Sequence, residues 1–205
     1  MCVLVFPAYS QFSISEKVLQ LAGEKYGDSA VERLQGWERL VSKHLLSKPA
    51  VGTSLSLTND YFNQVRWLSD QQHWGQEDYW ATPIETLASN AGDCEDFSIG
   101  KYFSLVEEKF DPEKLRITYV KSITYDQAHM VLAYYEKPES EPLILDNINK
   151  TILPASQRPD LVPIYSFNGK SIWLARDRGR KLKGDSQVSL PKWKQLNTRM
   201  LESLK

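Results

Sequence analysis

The order of the periodic segments is the feature that most constrains the fold of this chain. Apolar residues recur at helical spacing through the first half, and short runs typical of strands fill the second half. Helices followed by strands indicate an α+β domain with an antiparallel sheet packed on a helix. We expect one domain over residues 13–205, with a helical part at about 13–110, a sheet part at about 111–180 and a last helix at about 190–204. The predicted helices begin at Ser13 and span 28–45, 59–69, 83–90 and 93–109, and the predicted strands span 115–120, 130–135, 143–145, 161–167 and 171–175.

Local motifs predict where several of these elements begin and turn. Thr82, followed by Pro83 and by Glu85 three residues on, is typical of a capped helix start. Ser13 with Glu16 predicts a second capping box. The pair Asn168-Gly169 predicts a type I′ turn between the last two strands.

The charge balance excludes some classes of protein. Lysine and arginine number 25 against 26 aspartates and glutamates, which is unlike the strong basic excess of a nucleic-acid-binding protein. The basic run at residues 176–183 is interpreted as a solvated loop. No apolar run reaches the ~18 residues of a transmembrane helix. Residues 1–12 are interpreted as the remnant of a secretory signal peptide, because a short apolar run precedes the small residues Ala8 and Ser10.

The segment Gly92-Asp93-Cys94-Glu95-Asp96-Phe97 carries the most specific chemistry of the sequence. A thiol at the first turn of a helix lies among free backbone N–H groups, which favour the thiolate. The neighbouring carboxylates act in the opposite direction and raise the pKa of a thiol. A hard cation such as Ca²⁺ would neutralise them, with alternate acids of this segment and Asp78 or a loop carbonyl as ligands. Acidic residues that merely favour the helix macrodipole are the alternative.

A thiol nucleophile needs a base, and the base needs an orienting group. His129 opens one predicted strand and Asp146 ends the next. If the chain between these strands forms a symmetric hairpin, His129 lies opposite Ile148 and Asp146 opposite Val131, so His129 and Asp146 share one face of the sheet. A slip of one residue would place them on opposite faces.

The other candidate groups carry weaker signals. His44 is interpreted as a surface or helix-end residue, and His73 lies in an aromatic loop without an evident partner. Cys2, the only other cysteine, is interpreted as lacking a structural role. The backbone N–H of Cys94 is expected to contribute to an oxyanion hole, and the indole N–H of Trp80 is a second candidate against a plain core role.

The combined motifs resemble the bacterial transglutaminase-like cysteine proteinases, and within them the LapG periplasmic proteases. The resemblance covers about residues 55–175 and is carried by the segments at 78–83, 92–97, 129–132, 145–147, 158–161 and 165–168. It implies a papain/transglutaminase-like α+β fold with Cys94 as nucleophile, His129 as general base and acid, and Asp146 as orienting group. It also implies a requirement for Ca²⁺ that maps to Asp93 and Glu95.

The same resemblance implies a biological role. Members of the family cleave the N-terminal region of a large surface adhesin, typically at a paired-alanine site, and so release the adhesin and disperse biofilm. They act in the periplasm and are held inactive by the periplasmic domain of a c-di-GMP-responsive receptor in the inner membrane.

Two other functions fit the same residues. Acyl transfer to an amine, as in true transglutaminases, would use the same three groups and differ only in the acceptor. A non-catalytic, calcium-dependent binding module would retain the fold without the reaction.

Overall fold

The computed structural model describes residues 12–174, 180–181 and 190–203; Cys2 and most of the predicted signal remnant and basic run lie outside them. The described part of the chain contains seven α-helices, two 3₁₀ turns and nine strands. The α-helices are α1 (Glu16–Tyr26), α2 (Asp28–Ser47), α3 (Val51–Phe62), α4 (Asp70–His73), α5 (Pro83–Ser89), α6 (Cys94–Glu107) and α7 (Pro191–Ser203). The strands are β1 (Arg66–Trp67), β2 (Ala91–Gly92), β3 (Leu115–Ser122), β4 (Gln127–Tyr134), β5 (Leu143–Leu145), β6 (Leu153–Pro154), β7 (Leu161–Phe167), β8 (Ile172–Leu174) and β9 (Arg180–Lys181), with 3₁₀ turns at Pro112–Lys114 and Ala155–Gln157.

The main sheet has the order β6-β5-β4-β3-β7-β8-β9, and all of its neighbouring strands run antiparallel. Strands β4 and β5 pair Leu132 with Leu145. This is the register of the predicted hairpin, which is therefore confirmed over the paired residues; Asp146 and Ile148 follow the end of β5. A separate parallel pair, β1 and β2, leads into the start of α6.

Helix α6 packs between the helical part and one face of the sheet. Ile99 and Leu105 of α6 join a core with Ile117 and Leu132 of the sheet and Trp193 of α7. A second core lies among the N-terminal helices and includes Leu34, Trp37, Phe62 and Phe97, the last also from α6. The α+β architecture, with helices first and an antiparallel sheet packed on the Cys94 helix, is therefore confirmed. Among the described residues, no helix is both long and apolar enough to cross a membrane.

Two helix boundaries differ from the prediction. Helix α1 is capped by Ser15, whose hydroxyl accepts a hydrogen bond from the Val18 N–H, and not by Ser13. Helix α3 ends at Phe62 instead of continuing to residue 69. Its buried residues Leu55, Thr58 and Phe62 follow helical spacing, which marks a helix eight residues earlier than predicted. After Phe62 the chain turns and forms β1, because the backbone of Arg66 and Leu68 pairs with the segment at 90–92.

The loop between β7 and β8 is not the predicted type I′ turn. A type I′ turn needs positive φ at both central residues, and neither Asn168 nor Gly169 has it. The side-chain oxygen of Asn168 instead accepts hydrogen bonds from the N–H groups of Lys170 (2.9 Å) and Ser171 (3.0 Å). The loop is therefore shaped by an asparagine side chain and spans residues 168–171.

Close packing at Gly100 yields a stability prediction. A Cβ atom at Gly100 of α6 would lie 2.2 Å from a ring carbon of the buried Phe62. We expect Gly100→Ala to lower the free energy of unfolding by about 1–3 kcal/mol, because a well-packed core accommodates extra volume only by strain. Urea denaturation measures the change.

The matched control is Gly52→Ala in helix α3, where a Cβ would meet nothing within 4 Å. Alanine is favoured over glycine in a helix by roughly 0.5–1 kcal/mol, so this variant should be as stable as the wild type or more so. A Gly100→Ala protein with an unchanged urea midpoint would contradict the packing argument.

Candidate active site

Cys94 is the first residue of α6, and a tight turn before it fixes its position. The carboxylate of Asp96 accepts hydrogen bonds from the N–H of Ala81 (2.7 Å) and of Asp93 (3.3 Å), so it joins the helix start to the preceding segment. A Cβ at Gly92 would lie 2.8 Å from this side chain, so glycine permits the close approach. The sequence Gly-Asp-Cys-Glu-Asp thus builds a turn whose last acid secures the thiol at a helix N-terminus.

The electrostatic surroundings of the thiol oppose ionisation. Burial raises the pKa of Cys94 well above its usual value, and the charge of Glu95, whose Oε2 lies 3.0 Å from Sγ, raises it further. Asp93 acts in the same direction, whereas a hydrogen bond from the Met130 backbone lowers the pKa. Burial and the carboxylates therefore outweigh the helix start, and the Cys94 thiol donates to Oε2 of Glu95.

His129 of β4 and Asp146, which directly follows β5, form a buried pair. The Nε2 atom of His129 lies 2.8 Å from Oδ1 of Asp146, and both side chains are almost fully buried. Burial alone would raise the pKa of Asp146, but hydrogen bonds from His129, the Ile148 backbone and Arg158 hold it well below its usual range. The carboxylate thus remains ionised and fixes the orientation of the imidazole ring.

One cleft brings the thiol and the imidazole together. Cys94 and His129 both line a cavity of about 580 Å³ between the start of α6, strand β4 and the start of α7. Because Asp146 occupies Nε2 of His129, the ring nitrogen that remains for a partner in the cleft is Nδ1. The backbone hydrogen bond from Met130, the neighbour of His129, places the sulfur beside the same strand. This arrangement supports transfer of a proton between thiol and imidazole.

Carboxylates cluster beside the cysteine, and one of them was not predicted. Oxygen atoms of Asp70, Asp78 and Glu95 lie within 4.8 Å of one another, as do those of Asp70, Asp93 and Asp96. Asp70 begins the short helix α4, which the sequence interpretation missed because the third helix was extended to residue 69. The signal present was a serine-aspartate pair at a helix start, ahead of the acidic loop.

This cluster fits a hard cation. Burial raises the pKa of Asp70 to about 6, and burial with the charge of Glu95 raises the pKa of Asp93 to about 8. In the described part of the chain, Oδ1 of Asp70 and Oδ1 of Asp93 are buried without a hydrogen-bond partner. Carboxylate oxygens are the ligands that Ca²⁺ prefers, and a cation would both neutralise the cluster and satisfy these atoms. Asp78, at the edge of the cluster, forms an ion pair with Lys192 at the start of α7.

A family model described as bacterial transglutaminase-like cysteine proteinase matches residues 39–175. The chain belongs to this family. No curated protein matches the chain. The match includes Cys94, His129 and Asp146, so the geometry described above lies in the part of the chain that defines a bacterial transglutaminase-like cysteine proteinase.

Three solved structures of Legionella pneumophila LapG are similar to this proteinase over most of both chains. The structure titled EGTA-treated is 44% identical, with a TM-score of 0.79, and the alignment covers 93% of this chain and 100% of that chain. A second LapG structure is 44% identical, with a TM-score of 0.78 and coverage of 95% and 100%. The calcium-bound form is 45% identical, with a TM-score of 0.75 and coverage of 90% and 98%.

The predicted site residues have different outcomes in this proteinase. The structure brings Cys94 and His129 to one cleft, with Asp146 bound to His129 behind it, and Asp93, Glu95 and Asp78 to one carboxylate cluster; their roles remain predictions. Trp80 lines the cleft, but its ring also stacks on Phe167 with centroids 5.5 Å apart, as expected for a core residue.

His44 lies in the last turn of α2, as expected for a helix-end residue, but its interpretation as a surface residue is wrong. His44 is buried, and its Nδ1 lies 2.7 Å from Oε2 of Glu108, which follows α6. The buried acceptor was not evident from the helical pattern of α2, because it comes from a segment 64 residues away. His73 ends α4 and packs on the ring of Trp74, away from the Cys94 cleft lining.

Proposed function

We propose that this proteinase is a calcium-dependent cysteine endopeptidase with Cys94 as nucleophile, His129 as general base and acid, and Asp146 as orienting group. The observation that carries the proposal is the convergence of the thiol and the Asp146-bound imidazole on one cleft, beside a cluster of carboxylates. In a Cys-His-Asp set the aspartate positions the imidazole, the imidazole transfers protons, and the sulfur forms the covalent intermediate.

The residues of the chain account for each step of such a hydrolysis. His129 accepts the proton of Cys94, and the sulfur attacks the carbonyl carbon of the scissile peptide bond. The backbone N–H of Cys94, free at the helix start, donates to the developing oxyanion. His129 then protonates the leaving amine, and in the second half it deprotonates the water that cleaves the thioester. Asp146 remains ionised throughout and holds the imidazole in place.

Asp70, Asp78, Asp93 and Glu95 are the residues that would hold Ca²⁺. When bound, the cation supplies positive charge beside the thiol. That charge would offset the effect of Glu95, which raises the pKa of the Cys94 thiol, and would favour the nucleophilic thiolate. The calcium-bound form of the similar LapG structure supports calcium binding by this chain.

The proposed substrate is the N-terminal region of a large surface adhesin, cleaved at a paired-alanine site so that the adhesin is released and biofilm disperses. The likeness to LapG across most of the chain supports this proposal, as it supports a periplasmic location. The cleft is open and is lined by Tyr119, Tyr165 and Met130, so an extended segment with small side chains could approach the sulfur.

The test is cleavage of a purified adhesin fragment from the same organism. We expect one cut in the presence of Ca²⁺, none with excess EGTA, and a new N-terminus at the paired alanines when the product is sequenced. A matched fragment with both alanines replaced by bulky residues should remain intact. A fluorescent amine added to the reaction should not be incorporated, which separates hydrolysis from acyl transfer. An intact wild-type fragment with calcium present would refute the proposed substrate.

The proposal extends to regulation by a membrane receptor. We expect the periplasmic domain of a c-di-GMP-responsive inner-membrane receptor to bind this proteinase and to stop the cleavage. Titration of that domain into the cleavage assay, with calorimetry in parallel, measures both effects. Cleavage that continues at saturating receptor domain would contradict this part of the proposal.

A further inference from the structure

Arg158 lies behind the proposed catalytic carboxylate and contacts it directly. It follows the 3₁₀ turn Ala155–Gln157, and its side chain is only 3% exposed. Its Nη2 atom lies 2.8 Å from Oδ2 of Asp146. The same guanidinium donates to both oxygens of Asp160, from Nε at 2.9 Å and from Nη2 at 2.7 Å. Two acids and one arginine therefore form a chain that ends at His129.

The hydrogen bonds of Asp146 divide between its two oxygens. Oδ1 accepts from Nε2 of His129 at 2.8 Å and from the N–H of Ile148 at 3.0 Å. Oδ2 accepts from Arg158, which is its one hydrogen-bond donor among the described residues. Without the arginine a buried carboxylate oxygen would lose its donor, and the carboxylate plane would be fixed on one side only.

We propose that Arg158, held by Asp160, is a positioning residue that fixes the carboxylate of Asp146 and thereby the imidazole of His129. The inference rests on the proposed function, because it assigns Arg158 a role in the reaction of the same three groups. Arg158 touches neither the sulfur nor the substrate cleft, so it acts through Asp146.

The charges of the group favour the reaction as well as the geometry. Asp146, Asp160 and Arg158 together carry one net negative charge, and they become neutral as a set when His129 takes the proton of the thiol. The positive charge of Arg158 by itself would repel the imidazolium of His129, but the negative charge of Asp160 offsets that repulsion. The bidentate contact also sets the plane of the guanidinium, which a lysine cannot reproduce.

A purely structural role is the competing explanation, and the same sheet offers a matched control. Arg158 also lies in a turn secured by backbone hydrogen bonds, from its own N–H to Ala155 and from Leu161 to its carbonyl. Arg116 of β3 is a second buried arginine; it stacks on Tyr135 and Trp173, at 4.0 and 4.3 Å from the ring centroids. Loss of Arg116 should lower stability without reaching Asp146.

The experiment compares Arg158→Met, Arg158→Lys and Arg116→Met in the wild-type and Asp146→Asn backgrounds, with Ca²⁺ present. For Arg158→Met we expect kcat on the adhesin fragment to fall about 10–100-fold with KM nearly unchanged, as for loss of other supporting partners of a site histidine. Arg158→Lys should recover part of kcat. In the Asp146→Asn background the same substitution should change kcat by less than about threefold, because residues that act as a unit are not additive.

A second measurement does not need the substrate. The alkylation rate of Cys94 by iodoacetamide, measured with Ca²⁺ present in a Cys2→Ser background, reports the thiolate that forms when His129 takes the proton of Cys94. It should fall with Arg158→Met and show the same non-additivity. If the adhesin fragment is not cleaved by the wild type, the proposed substrate fails, but the alkylation cycle still decides the role of Arg158.

Three results for Arg158→Met would overturn the proposal. The first is an equal loss of kcat in the wild-type and Asp146→Asn backgrounds, and the second is an effect on KM alone. The third is an equal loss of kcat in Arg116→Met when the two variants are equally destabilised. If Arg158→Met does not fold, Asp160→Asn decides instead. That variant keeps the Asp146 contact but releases the guanidinium, and it should reduce the alkylation rate about three- to tenfold, a milder form of the loss of a supporting partner. An alkylation rate equal to that of the wild type would refute the positioning role.

Discussion

Cys94→Ala is expected to abolish peptide hydrolysis, with a loss of kcat on the order of 10⁵–10⁶, the scale measured when a triad nucleophile is removed. The sulfur forms the covalent bond to the substrate, and no neighbouring side chain replaces it. The fold should remain intact, because Cys94 is only half-buried and alanine keeps its Cβ while removing the sulfur. Cleavage of the adhesin fragment and the thermal midpoint measure the two outcomes.

Cys2→Ser is the matched control for this prediction. Cys2 is the only other cysteine of the sequence, so the pair of variants separates loss of one specific thiol from loss of any thiol. We expect Cys2→Ser to cleave at the wild-type rate. Cleavage by Cys94→Ala above the background of a heat-inactivated sample would refute the proposed nucleophile. A cleavage rate of Cys2→Ser well below that of the wild type would show that Cys94 is not the one cysteine on which cleavage depends.

The part of the site that local chemistry specifies was predictable from the sequence. Thr82, Pro83 and Glu85 form the predicted capping box, with the Thr82 hydroxyl accepting from Glu85 N–H and the Glu85 carboxylate accepting from Thr82 N–H. The hairpin register that joins His129 to Asp146 followed from the length of the loop, because a side-chain period of two leaves few alternatives. Elements close in sequence therefore placed two of the three proposed catalytic groups.

Groups that meet across long sequence distances were not predictable. Asp70 reaches the Cys94 turn only because β1 pairs with β2, and no periodic pattern marks two strands of two residues each. Arg158 reaches Asp146 through a turn after a short edge strand, and the sequence showed only an arginine-proline-aspartate motif. His44 of α2 contacts Glu108, which follows α6 and lies 64 residues away in the sequence. In each case tertiary contacts, not local propensity, decide which polar groups are buried together.

The balance of charges at the thiol also required the structure. Two opposing effects were evident from the sequence: a helix N-terminus favours the thiolate, and neighbouring carboxylates disfavour it. In the structure, burial of Cys94 and the 3.0 Å contact between its Sγ and Oε2 of Glu95 both raise the pKa of the thiol, so the second effect prevails. A cation at the carboxylate cluster would offset the contribution of Glu95.

Calcium is expected to raise the thermal midpoint of this protein by about 5–10 °C at a concentration one hundred times the dissociation constant. Binding to the folded state at that ratio contributes about 2.7 kcal/mol, and each kcal/mol shifts the midpoint of a chain of this size by roughly 2–4 °C. The carboxylates of Asp70 and Asp93 repel each other in a buried cluster, and the cation removes this repulsion. Thermal unfolding in EGTA and in stepwise Ca²⁺ measures the shift, and calorimetry measures the affinity.

Asp70→Asn tests the ligand that the sequence did not indicate. We expect it to lose most of the calcium shift, because Oδ1 of Asp70 is buried without a partner among the described residues and the neutral amide oxygen is a weaker ligand. In EGTA the variant should be at least as stable as the wild type, since burial raises the pKa of Asp70 to about 6 and the ionised group destabilises the cation-free fold at neutral pH. Asp60→Asn is the control, because Asp60 is an exposed carboxylate on α3 outside the cluster. A full calcium shift in Asp70→Asn would remove Asp70 from the ligand set and leave Asp93 and Glu95 to bind the cation from the cysteine turn.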